Sequence, residues 1–158
     1  MLYIYNMKYS IALNSRDRVN GGNADDCEFP FDFGVFRDGE YEMTFTMVTD
    51  PVDMIDIVKT CSIFSNTGGA NVFTTSATTN SGTTQYIGSL HAVGNVTSTS
   101  DDTDEQLFAS THDNGGVYMS SKPAVQTIKI RLLDGTGTAF TGVSNCPEWI
   151  MMMTFTKQ

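Results

Sequence analysis

The chemistry open to this chain rests on few residues. There are two histidines, His91 and His112, and three cysteines, Cys27, Cys61 and Cys146. A nucleophile activated by histidine needs Ser or Cys together with a carboxylate that orients the ring. Ser and Thr are plentiful enough to make chance pairings, and no G-x-S-x-G elbow singles one out. His91 falls in an apolar run and His112 in a Thr-His-Asp-Asn-Gly-Gly turn, so neither is expected to be catalytic. The cysteines show no C-x-x-C spacing, which gives no support to a zinc site or a redox pair. Their odd number argues against a fully paired secreted framework, and free thiols in a reducing compartment are expected.

Acidic residues offer a second kind of chemistry. Asp101, Asp102, Asp104 and Glu105 crowd one stretch, and Asp113-Asn114-Gly115 follows. Calcium takes six to eight hard oxygens, but the twelve-residue EF-hand spacing is absent. Solvated loop acids that blunt a sheet rim are the expectation. A glycosidase pair would need two carboxylates across a cleft, and no signature points to one. Gly21-Gly22 and Gly68-Gly69 are not followed by Lys-Ser or Lys-Thr, so no phosphate cradle is indicated. No catalytic residue, metal ligand or cofactor is predicted, and the chain is not expected to be an enzyme.

The charge balance narrows the partners. Nine Lys and Arg against 18 Asp and Glu give −9 at pH 7, a field that repels phosphate backbones and disfavours nucleic-acid binding through a basic patch. No apolar run of about 18 residues is present, so no transmembrane segment is expected. The start of the chain lacks the basic flank of a signal peptide. Asn95-Val96-Thr97 matches a glycosylation acceptor but is read as a loop.

Around these residues the pattern has period two. Phe29, Phe31, Phe33 and Val35 alternate, which predicts three rings on one face of a strand, and Pro30 places that strand at an edge or just entering the sheet. Met43, Phe45 and Met47 alternate after the turn Arg37-Asp38-Gly39, and Ile128, Ile130 and Leu132 alternate before Asp134-Gly135. Residues 149–155 read as a strand buried on both faces. Weaker strands are expected at 8–14, 56–64, 71–75, 85–93, 106–110 and 117–120. A helix competes only at 54–64, where the β-branched residues favour a strand. Stretches 15–26 and 97–105 read as polar loops. Eight to ten short strands with turn residues between them indicate an antiparallel sandwich or barrel in a single domain spanning 1–158.

Two stretches carry a resemblance. Ile11-Ala12-Leu13-Asn14-Ser15-Arg16-Asp17-Arg18 leads into Phe29-Pro30-Phe31; near the end, residues 128–137 precede Phe140 and a closing strand with Trp149. This order resembles the small single jelly-roll capsid proteins of large eukaryotic DNA viruses, virophages and polinton-like viruses, over about a third of the residues. The resemblance implies an all-β single jelly roll of two antiparallel sheets with about eight strands. It also implies a penton-like or minor capsid subunit in the virion, assembled in a host cell, with itself as a homopentamer and the major capsid protein as partners. No catalytic residues come with it. Residues 1–7 as an extended arm, with Tyr3 and Tyr5, and Arg16 and Arg18, basic against the prevailing charge, are the candidates for contacting neighbours. The alternative is a carbohydrate-binding or adhesive β-sandwich module, calcium-dependent if the Asp-rich loops bind metal.

Overall fold

Alternation of buried and exposed residues is the rule along the strands of the computed structural model, which describes residues 7–20, 23–50, 52–53, 60–67, 85–97, 104–110, 116–133 and 146–158. Ten strands are present among them: β1 (Lys8–Asn14), β2 (Asp26–Pro30), β3 (Tyr41–Thr49), β4 (Val52–Asp53), β5 (Thr60–Ser65), β6 (Gln85–Thr97), β7 (Asp104–Ser110), β8 (Val117–Met119), β9 (Thr127–Leu133) and β10 (Trp149–Lys157). All pairings are antiparallel, in the order β1-β10-β3-β7-β6-β5-β9-β2, while the short β4 and β8 flank β7 and β3.

That order is a jelly roll. The strands make one continuous hydrogen-bonded sheet that folds into a sandwich of two four-stranded sheets, β1-β10-β3-β7 and β6-β5-β9-β2. The long β6–β7 hairpin joins the sheets on one side, with an irregularity between Ala92 and Gly94. The opposite side is open, edged by β1 and β2. Inward residues of both sheets meet in one core that includes Met43, Phe45, Met151, Met153 and Phe155 facing Cys27, Phe29, Ile63, Ile128, Ile130 and Leu132. Each fully enclosed large side chain contributes about 1.5–3 kcal/mol.

Several expectations hold. The strands at 8–14, 85–93, 106–110 and 117–120 and the alternating runs at 43–47 and 128–132 are strands, and β2, with Pro30, is an edge. Gly39 closes the Arg37-Asp38-Gly39 turn at φ +145°, a backbone state that disfavours a Cβ.

Others are corrected. The Phe29–Val35 alternation is not one strand. β2 stops at Pro30, and Asp32 accepts the Gly34 N–H at 2.7 Å to open a 3₁₀ turn at Phe33–Val35. Phe33 is thereby swung into the core while Val35 is 66% exposed. Strand β10 is not buried on both faces, because Ile150 and Met152 point outward. Residues 95–97 belong to β6 rather than a loop, and Asp104 and Glu105 begin β7. Of the segment expected as a strand at 56–64, β5 takes residues from Thr60 onward. The strand expected at 71–75, His112, Asp101, Asp102 and Asp113 lie outside the described residues.

Candidate functional site

Polar residues at 15–26 do not form a free loop; they bind the closing strand. Asn14 caps a 3₁₀ turn at Ser15–Asp17 by accepting the Arg16 N–H. The turn buries Ser15, whose hydroxyl donates to Glu148 and accepts the Trp149 backbone N–H at 2.8 Å. Arg18 Nη1 reaches the Ser15 carbonyl at 2.6 Å and both Glu148 carboxylate oxygens at 3.0 and 3.1 Å. Farther along, the Ala24 carbonyl accepts the Trp149 indole N–H at 2.7 Å. Phe29 meets the Trp149 ring edge-on, centroids 5.9 Å apart. A segment 130 residues away in sequence is thus stitched to the start of β10.

Electrostatics follow from this enclosure. Burial alone would raise the Glu148 carboxyl, but hydrogen bonds from Ser15 and Arg18 outweigh it and hold the group below the usual carboxylate range. Burial pushes the Cys27 thiol up to about 12, with Arg18 pulling the other way, and burial raises Cys146 as well. Cys27, Cys61 and Cys146 are in no disulfide; Cys27 and Cys61 are buried and Cys146 is half-buried, and the upward shifts of Cys27 and Cys146 keep those two thiols protonated. Among the described residues no three His, Cys, Asp or Glu side chains gather to hold a metal, and no helix is long and apolar enough to cross a membrane. His91 is half-buried on β6, paired with Thr60 and Ala109.

The feature suited to contact with another protein is the outer face of the β1-β10-β3 sheet. Register places Asn14, Ile150 and Val48 in one row, Ala12, Met152 and Thr46 in the next, and Ser10, Thr154 and Thr44 in a third. None of the nine is charged. Ile150 is 54% exposed, and Met152 and Val48 are each 42% exposed. Charge returns only at the two ends, with Lys8 and Glu42 at one and the Arg16–Asp50 ion pair at the other. On a chain of −9 this is a neutral, partly apolar window.

Of the four residues expected to contact neighbours, Arg16 sits at the border of this face and is 64% exposed. Arg18 is turned inward onto Glu148, only 20% exposed, and acts within the chain. Tyr3 and Tyr5 lie outside the described residues. Sequence reasoning passed over Val48, Ile150 and Met152, because an apolar residue between apolar residues reads as two-sided burial. Ser15 and Glu148 gave no local signal at all, since their partners are distant in sequence. A second feature is an open depression of about 420 Å³ lined by Pro30, Phe31, Asp32 and Gln126. Compared with models of known protein families and with curated proteins, the chain matches none.

Proposed function

We propose that the chain is a structural capsid subunit, penton-like or minor, that works by assembly in a virion rather than by catalysis. The observation that carries this reading is the eight-strand jelly-roll order combined with a neutral outer face on a strongly acidic chain. Like-charged copies repel, so stable packing requires contact surfaces that carry little charge and some apolar area. The β1-β10-β3 face has both. A wedge-shaped jelly roll can close a ring through heterologous contacts, one flank meeting the opposite flank of the next copy. The partners are further copies, as a homopentamer, and a major capsid protein. Native mass spectrometry of the purified chain across a salt series tests this. Rings of five that strengthen with salt are expected, because screening relieves the repulsion between acidic copies. A closed two-fold dimer at every salt, with no ring, would count against the vertex reading.

One observation favours a second reading, a carbohydrate-binding module. The depression beside β2 offers the Phe31 ring with the Asp32 carboxylate and Gln126 amide, groups that could stack on and hydrogen-bond a sugar. Glycan-array binding that Phe31→Ala abolishes would select it.

A further inference from the structure

The two edges of the open side are treated differently. Edge β2 is blunted: it is five residues long, carries Asp26, Glu28 and Pro30, and is covered by the preceding loop. The Val19 N–H donates to the Glu28 carbonyl at 3.0 Å, and Asn20 Nδ2 donates to the Asp26 carbonyl at 2.7 Å. Those two carbonyls face away from β9, and Pro30 falls on the same parity, so its missing N–H costs the ladder nothing.

Edge β1 has no such protection. The Lys157 N–H donates to the Met7 carbonyl at 2.9 Å, which sets the parity of the β1-β10 ladder. Tyr9, Ile11 and Leu13 therefore direct their backbone groups at β10, and Lys8, Ser10, Ala12 and Asn14 direct theirs to the open side. Among the described residues, no backbone hydrogen bond is made on that side of β1 from Lys8 to Ala12. The edge holds no proline and no bulge, and it is uncharged from Tyr9 to Asn14. Such an edge is a template for another strand.

We propose that the open edge of β1 is a strand-addition site filled by residues 1–6 of a second copy of this chain. The occupant is argued from its composition and its attachment. Met1-Leu2-Tyr3-Ile4-Tyr5-Asn6 is uncharged in a chain of −9, lacks Gly and Pro, and is β-branched and aromatic through its middle. It brings no like charge to a neutral edge. Both its alternating faces are apolar, as are both sides of β1: Ile11 and Leu13 within, and Ala12 beside Met152 without. Folding back onto its own β1 needs a tight turn at Asn6-Met7, and the favoured two-residue hairpin turns call for glycine at one of those positions, where this chain has none. Addition to a neighbour needs no such turn, with backbone hydrogen bonds supplying the affinity. The proposal stands on the edge geometry and not on the vertex reading.

A complementation experiment tests it. A chain beginning at Met7 keeps the edge but loses the donor segment. Ala12→Pro keeps the donor but removes an outward N–H and fills the edge with a ring, leaving every β1-β10 hydrogen bond in place. Ser10→Pro does the same at the neighbouring outward position and serves should Ala12→Pro fold poorly, as circular dichroism would reveal. By native mass spectrometry, mixing the two chains should give a 1:1 complex that neither forms alone. A fluorescent peptide of residues 1–7 should bind the shortened chain and lose at least tenfold in affinity when Ala12→Pro is added to it. Absence of the mixed complex between two folded chains overturns the proposal. So does association of the shortened chain as strong as that of the full chain; rings of five in that sample would leave the vertex reading standing.

Discussion

At one end of β10, Trp149 is held by Ser15, Ala24 and the Arg18–Glu148 pair through directional polar bonds. At the other end, Phe155 is held by rings. Phe33 and Phe36 meet it edge-on with centroids 5.8 and 5.2 Å away, and Tyr9 stacks on Phe36 at 4.1 Å. Phe31 and Tyr41 complete the cluster. Both ends pin a connecting segment against the closing strand, the polar one at 15–26 and the aromatic one at 31–36. They differ in tolerance. Rings share a non-directional apolar cluster that adjusts to a changed neighbour, whereas each polar bond leaves a desolvated partner behind when it is lost.

The largest effects should come from emptying either end. Trp149→Ala and Phe36→Ala should each cost about 3–5 kcal/mol in denaturant unfolding. Milder substitutions separate the two ends. Phe36→Leu should cost under about 1.5 kcal/mol, since the cluster can repack. Trp149→Phe keeps a ring but leaves the buried Ala24 carbonyl with only the weak Cys27 thiol as donor, adding roughly 1 kcal/mol to the loss of packing. Equal costs for these two milder changes would break the comparison.

Removing the carboxylate comes next. Glu148→Ala removes the acceptor of the Ser15 hydroxyl and the carboxylate partner of Arg18, which keeps the Ser15 carbonyl, and should cost about 1–3 kcal/mol. A cycle with Arg18→Ala should be strongly non-additive, because the two side chains share one network.

Acid should then reach the polar end selectively. The folded Glu148 carboxyl lies below its unfolded value. Its contribution to stability is therefore complete above the unfolded carboxylate range and is lost as pH falls through the lowered folded value. The carboxylates nearest the rings, Asp32, which accepts the Gly34 N–H, and Asp38, which a hydrogen bond from Lys122 holds low, are both exposed and so contribute less. Trp149 is the only tryptophan, so its fluorescence reports the polar end alone. On acidification that signal should change ahead of far-ultraviolet circular dichroism, and Glu148→Gln should remove the lag between them. Coincident transitions in the unaltered chain would show that the ends open together.

The same contrast governs what could be read from sequence. Strands β1, β3 and β9 were legible because period-two burial is a local property of consecutive residues. Pro30 announced an edge for an equally local reason. Phe33 misled because its alternation with Phe29 and Phe31 continues past a strand that Asp32 ends by capping a turn. The polar tie was illegible because Ser15 and Glu148 become partners only when β1 and β10 pair. The neutral outer face was hidden for another reason. Ile150 and Met152 look the same in sequence whether a second layer covers them or not.

The smallest expected effect lies at the border between the polar end and that outer face. Arg16 and Asp50 form an ion pair with both side chains more than half exposed, 64% and 51%. Exposed pairs of this kind contribute about 0–1 kcal/mol and less in salt. Arg16→Glu should therefore shift the melting temperature by only a few degrees, far less than Glu148→Ala, although Arg16 and Arg18 are two residues apart. Its effect on association should be the larger one, because it places a second acid beside Asp50 at the margin of the otherwise neutral outer face proposed as a contact surface on a chain of −9. The proposed rings should weaken at low salt and recover as screening sets in. A melting temperature that falls as far as that of Glu148→Ala would instead make Arg16 part of the internal tie. Association unchanged at every salt would remove it from the contact surface.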